Sequence, residues 1–259
     1  MTILRLGSLG LVLLLGGCAI LRFAPPPQVI TSAPELIHRL KARQIPIETI
    51  EARGQITFLS PQRNYTGAAR LKGRRPHHLR VDVRDPLGRS ALSFYSDGLE
   101  VRVLVPQEGK LYRGPATPGN LAAFIPPPVT LEQAFRILTG DLLLLPEGSA
   151  RLERLPSGQY RLELTSPQGG RQLLWVEPRF LNPVKMEWYG PAGQLLFTLE
   201  FEGYGSLPGG LPRKVRLYTE RPQAELRFTY REVVLNRPLS EADLTLTTPP
   251  AVKEEALGP

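Results

Sequence analysis

Cysteine is almost missing from this 259-residue chain; the single one, Cys18, stands near the N-terminus. One cysteine cannot close an internal disulfide, so in an oxidising compartment the fold must rest on its core. Catalytic signatures are as scarce. There is no nucleophile elbow, no Walker loop and no HExxH pairing, which leaves no sequence ground for a serine hydrolase, a nucleotide hydrolase or a zinc peptidase. Gly203-Tyr204-Gly205-Ser206-Leu207 has the glycine spacing of a phosphate loop, but it runs on into Pro208-Gly209-Gly210 with no helix to follow and reads as a loop between strands. His77 and His78, with Asp82 and Asp85 beyond them, do not have a spacing that gathers four ligands, so neither metal nor cofactor is expected. Long apolar runs are missing too. The longest, residues 6–15, falls short of the about 20 residues that a membrane-spanning helix needs.

That short run has the form of an export signal. Arg5 supplies a positive start, residues 6–15 the apolar stretch, and Leu15-Gly16-Gly17-Cys18 a small-residue cleavage site ending on the lone cysteine. The expectation is a lipoprotein: residues 1–17 removed as signal peptide, Cys18 lipidated, and residues 18–32, with Pro25-Pro26-Pro27, an extended tether reaching up to about 45 Å from the bilayer. Position 19 is Ala and not Asp. This resembles bacterial sorting signals for the outer membrane and implies a lipid-anchored protein facing the periplasm.

Residues 33–247 have the length of one large domain with no internal linker, and 248–259 read as a disordered tail. Alternation dominates the domain. Leu79, Val81 and Val83 face one way and Arg80, Asp82 and Arg84 the other; the pattern returns at Leu99/Val101/Val103/Val105, Tyr160/Leu162/Leu164, Leu195/Phe197/Leu199/Phe201 and Ala224/Leu226/Phe228/Tyr230. Strands with one wet face belong to antiparallel sheets. Turn signals such as Asp97-Gly98 and Pro156-Ser157-Gly158 separate about eleven to thirteen of them. Helices are expected from a Ser32/Glu35 capping box to Arg43, over 120–124, and over 130–138, where Leu131, Ala134, Phe135 and Leu138 form a stripe.

The fold class is therefore mainly β (α+β): a single curved antiparallel sheet, an unclosed barrel, lidded by about three helices. So broad an apolar face exceeds what short helices cover. Either an apolar cavity remains inside, with Phe58, Val81, Val83, Phe94, Val101, Phe135, Leu138, Leu162, Phe197, Phe201 and Phe228 as candidates to line it, or side chains fill it completely. Leu142 to Leu145, before Pro146, belong either to the core or to the mouth of that cavity. The run Lys72, Arg74, Arg75, His77, His78, Arg80 makes a basic hairpin that suits either anionic headgroups or solvent. A nucleic-acid role conflicts with export.

Several motifs in order resemble the LolB family of outer-membrane lipoprotein receptors, within the wider LolA/LolB fold. Ala52-Arg53-Gly54 matches the family's Arg-Gly in the first strand and Tyr65 the start of the second; Leu79 to Val83 lead into Asp85-Pro86-Leu87-Gly88, similar to the family's Pro-Leu-Gly loop, before a strand from Ser90 to Phe94. Tyr112, a helical stretch from Leu131 to Gly140 ahead of a proline, and Val234-Leu235-Asn236-Arg237-Pro238-Leu239 complete the likeness. The family's second-strand tryptophans are replaced by Ala68 to Leu71, and the tail after Pro238 is longer. The resemblance implies a receptor and not an enzyme: an apolar cavity takes the acyl chains of lipoproteins from a LolA-like periplasmic carrier and releases them to the outer membrane, with Pro86, Leu87 and Gly88 as the membrane-insertion loop. The alternatives are a lipoprotein that carries a phospholipid or glycolipid, and an envelope scaffold with a filled core.

Cys18 lies outside every apolar periodicity, so its part is chemical and not packing. Cys18→Ser should therefore fold but stay uncleaved and unlipidated; palmitate label on that variant would contradict this.

Overall fold

In the computed structural model the described residues are 29–61, 64–122, 124–146, 148–247, 249–250 and 252–258; the signal peptide, Cys18 and most of the tether lie outside them. Helix α1 spans Ala33–Ala42, followed by strands β1 (Thr49–Leu59), β2 (Asn64–Arg74), β3 (His78–Arg84), β4 (Ser90–Ser96), β5 (Glu100–Val105) and β6 (Lys110–Pro115). Helices α2 (Pro118–Leu121) and α3 (Leu131–Leu138) follow, then β7 (Ser149–Arg154), β8 (Tyr160–Thr165), β9 (Arg171–Val176), β10 (Pro183–Tyr189), β11 (Leu195–Glu202), β12 (Lys214–Glu220) and β13 (Gln223–Leu235). Helix α4 (Glu241–Leu244) and strand β14 (Lys253–Ala256) end the chain.

All fourteen strands form one open sheet in the order β14-β6-β5-β4-β3-β2-β1-β13-β12-β11-β10-β9-β8-β7. Consecutive strands pair antiparallel as tight turns dictate, and the long return from β6 to β7 carries α2 and α3 across the apolar face. The alternation reads through to burial: Val81, Val83, Val101, Val103, Leu162, Leu164, Phe197, Leu199, Phe228 and Tyr230 are all buried. The sheet is strongly curled. β4 and β12 stand five places apart, about 24 Å if flat, yet Phe94 and Leu217 line one crevice.

Glycine lets neighbouring strands close up in the middle of the sheet. At the β1–β13 register shift, a Cβ on Gly54 would stand 2.2 Å from the Thr229 carbonyl oxygen, and one on Gly67 in β2 would stand 2.1 Å from that of Arg84. Only glycine lets these backbones approach so closely. The extra residue of the bulge is Arg231, since Arg53 opposes Glu232 and Gly54 opposes Tyr230.

Ser32 caps α1, its hydroxyl accepting from the Glu35 N–H, and Thr130 with Gln133 forms a capping box on α3. The apolar sides of α1, α2 and α3 pack into the main core. Four features depart from the sequence reading. The domain starts before residue 33, because Ile30 is buried and its N–H donates to the Tyr160 hydroxyl at 3.0 Å. A fourth helix, α4, capped by Ser240 and Asp243, lies on the outer face of the sheet. Among the described residues there are fourteen strands, and the last pairs parallel. Residues 248–259, expected to be disordered, include β14, which pairs with β6; Lys-Glu-Glu-Ala has no apolar alternation, and it is held by backbone bonding and charge pairs such as Lys110–Glu255 at 3.0 Å.

The C-terminal strap also changes the outer face. Leu239, Leu244 and Leu246 bury Tyr95, Leu104 and Leu111 in a second apolar cluster on the side expected to be wet. Leu244 is 0% exposed there. Leu244→Ala should therefore lower the unfolding free energy by about 2 to 3 kcal/mol, read as a lower urea midpoint; an unchanged midpoint would contradict the strap's structural part.

Candidate functional site

The concave face of the sheet and the α2–α3 segment enclose an apolar crevice of ≈ 50 Å³. Its sheet wall includes Ile56, Leu71, Leu79, Val81, Phe94 and Phe228, and its roof Phe124, Ile125, Ala134, Ile137 and Leu138. Each strand contributes through the phase of its alternation, and α3 through its stripe. The Phe124 ring tilts onto Phe94 with 5.8 Å between centroids. A cavity needs only about 10 to 15 Å³ to hold one water, so the crevice has room for a few waters or a short piece of a chain, with packed side chains around it. The two readings of the interior therefore meet: a packed core with one apolar gap under the roof.

Of the candidates for lining a cavity, Val81, Phe94, Leu138 and Phe228 reach this crevice. Phe201 lines a second hollow of ≈ 70 Å³ with Leu40, Arg43, Thr139, Asp141 and Tyr204, and Leu142 and Leu143 border it as well. Phe58, Val83, Val101, Phe135, Leu162 and Phe197 are buried in packed regions away from both. Alternation tells which face a residue takes and not which column stays unfilled. Leu71, Leu79 and Leu217 were missed on that account, although Leu79 shares the alternation of Val81.

Polar ties close the roof at its C-terminal end. The buried Tyr230 hydroxyl donates to the Leu138 carbonyl at 2.6 Å, and burial pushes its phenol well above the ordinary range. Arg75 pairs with Asp141, donates through Nε to the Ile47 carbonyl at 2.6 Å and stands over the Phe135 ring at 5.6 Å. Gln172 holds the following segment, donating to the Leu143 carbonyl at 2.6 Å and accepting from the Leu145 N–H at 3.1 Å. Toward Phe124 and Ala134 the roof meets the sheet through apolar contact, and before that α2 is tied by Asn120 Nδ2, which donates to the Pro115 and Gly258 carbonyls at 2.9 Å each. The roof is thus pinned at both ends with an apolar stretch between.

At the end of the sheet where β3 turns into β4, Leu87 is 77% exposed. The turn is rigid. Asp85 Oδ1 accepts from the N–H groups of Leu87 and Arg89 at 2.9 Å each, Arg89 Nε donates to Asp85 Oδ2 at 2.8 Å, and Gly88 takes φ +80°. Pro86 precedes Leu87, and the fold holds this leucine in solvent between Arg84 and Arg89.

The basic hairpin has a different fate. It lies at the opposite end of β3, and its charges are paired internally: Lys72 with Asp243 at 2.5 Å, Arg74 with Glu241, Arg75 with Asp141, and Arg80 with Asp82 at 2.9 Å. Residues 203–207 form the β11–β12 loop as read, with the Tyr204 hydroxyl donating to the Pro183 carbonyl at 2.7 Å. Among the described residues no three His, Asp or Glu side chains stand together as a metal set, and no helix is long and apolar enough to cross a membrane.

No family model and no curated protein matches the chain. Solved structures do. A LolA superfamily protein from Nitrosomonas europaea aligns over 84% of this chain and 99% of its own at 18% identity, with a TM-score of 0.51. A domain described as an outer membrane lipoprotein-sorting protein, from Vibrio parahaemolyticus, covers 81% of this chain and 94% of its own at 17% identity and a TM-score of 0.51. A DUF1329 family protein from Desulfovibrio piger covers 82% and 95% at 16% identity, with a TM-score of 0.54. The shared feature is the fold: an open, curled sheet of the LolA-like kind.

Proposed function

We propose that this protein is a non-enzymatic outer-membrane lipoprotein, anchored through Cys18, that takes acyl chains under its helical roof and helps deliver lipoproteins to the membrane in the manner of LolB. The observation that carries this reading is the apolar crevice between the concave sheet and α3. The likeness to LolA-superfamily and lipoprotein-sorting structures supports it.

Because the crevice is narrow, loading requires the roof to lift along its apolar stretch, between the ties of Asn120 on one side and those of Tyr230, Arg75 and Gln172 on the other. Each methylene that enters gains about 0.8 kcal/mol, much what a bilayer gives it. Transfer from a LolA-like periplasmic carrier to this protein and on to the outer membrane then runs close to balance, with direction set by relative affinity. No nucleotide is needed.

Mass spectrometry of apolar material that co-purifies with the full chain tests the ligand class. Protein-linked acyl chains are expected; a free phospholipid or glycolipid would point to the lipid-carrier alternative, and nothing at all to a scaffold. Ala134→Phe should plug the crevice and reduce bound ligand and hydrophobic-dye fluorescence several-fold while the fold persists; unchanged dye binding would place the ligand elsewhere.

Leu87 is the proposed point of contact during release. Burying one leucine in a leaflet gives about 1.5 to 3 kcal/mol, enough for a transient touch and too little for an anchor. Leu87→Glu should leave ligand uptake intact and slow delivery to liposomes; delivery at the wild-type rate would remove Leu87 from the mechanism.

A further inference from the structure

On the face of the sheet opposite the core, an open groove of ≈ 650 Å³ crosses β13, β1, β2, β3 and β4. Arg53, Arg70, Arg80, Arg84 and Arg231 line it, against only two acids, Asp82 and Glu232. Its floor is low because Ala68, Ser90 and Ser93 are small. Those five strands span about 19 Å, the length of about six extended residues.

Arg70 is held by Glu51 at 2.8 Å and Arg80 by Asp82 at 2.9 Å, which leaves Arg53, Arg84 and Arg231 as the groove's weakly paired charges among the described residues. Arg231, the extra residue of the β1–β13 bulge, makes no ion pair among the described residues. Arg84 donates only to the Gly88 carbonyl at 3.2 Å, and Arg53 has Glu232 no nearer than 3.6 Å. Asp82 is already taken by Arg80 and by the Ser93 hydroxyl at 2.7 Å.

The same face shows what it binds. Immediately beside the groove it holds the chain's own acidic strap: Lys72 pairs with Asp243 at 2.5 Å, Arg74 with Glu241, and Arg80 donates to the Thr245 carbonyl at 2.6 Å. Arg80 belongs to both places, bordering the groove and gripping the strap. A short acidic segment, the α4 turn with acids two residues apart, is thus already seated by the basic row of β2 and β3, and the groove continues that row through Arg84, Arg231 and Arg53.

We infer that the groove is a docking site for an extended acidic segment of a partner protein, held by carboxylate and main-chain carbonyl contacts to these arginines. The surface lies on the other side of the sheet from the crevice and does not depend on what the crevice binds. A planar bilayer meets the tip of the β3–β4 turn more readily than a recess running across five strands, which favours the peptide over headgroups.

The test uses the full chain in phosphatidylcholine nanodiscs and a fluorescein-labelled decaglutamate peptide, read by anisotropy. The wild type should bind, with affinity falling as salt screens the arginines. Arg53→Gln with Arg231→Gln should weaken binding by about three- to tenfold, the effect of losing two exposed pairings. Both side chains are exposed, so the fold should survive, and circular dichroism checks that it does. Arg151→Gln with Arg154→Gln, which removes equal charge from β7, should leave binding unchanged. Absent binding, or equal weakening in the two double variants, overturns the assignment. If soluble dihexanoylphosphatidylglycerol and not the peptide separates the Arg53/Arg231 variant from the wild type, the groove is a headgroup site and the proposal fails.

Discussion

The close approach of the strands in the middle of the sheet depends on two missing side chains. Gly54 and Gly67 let neighbouring backbones approach to distances that any Cβ would forbid. A flatter sheet of fourteen strands would spread its apolar face far beyond the reach of three short helices. Bent as it is, the sheet brings β4 and β12 under one roof and leaves a narrow apolar gap. The register shift between β1 and β13 places Arg231 on the other side as the unpaired residue of a bulge.

The charge pattern follows from this shape. A net charge of +8 suggests a surface dominated by free lysine and arginine, but many of the basic residues near the middle of the sheet are tied up. Glu100 illustrates the density of pairing: it receives Arg102 Nε at 2.6 Å and Arg113 Nε at 2.5 Å, which holds its carboxyl down to about 2. Against that background Arg84 and Arg231 stand out as cations without an acid partner among the described residues.

The strands were legible because alternation with one wet face leaves a strong trace, as at Leu79, Val81 and Val83. The helix caps at Ser32 and Thr130 were equally plain. The resemblance read from Arg53-Gly54 and from Pro86-Leu87-Gly88 led to the right fold, and those glycines have clear physical reasons in the close approach of strands and in a turn at φ +80°. Other features left no local trace. Strand β14 depends on the free edge of β6 more than a hundred residues away, and a Lys-Glu-Glu-Ala run carries no period from which to read it. The crevice depends on which column of a packed face is left short of volume, so Phe58 and Val101 were chosen by phase alone and proved to be core.

The two borders of the sheet are treated differently. Open sheets invite other chains to add at their borders. One border is closed by the chain's own tail, which lies along β6 with Leu257 donating to the Arg113 carbonyl at 2.7 Å. The other ends in Ser-Ala-Arg-Leu-Glu-Arg, a strand studded with exposed charge. Truncation ahead of β14 would leave one side of β6 without its backbone partner, so the tail completes that border of the sheet.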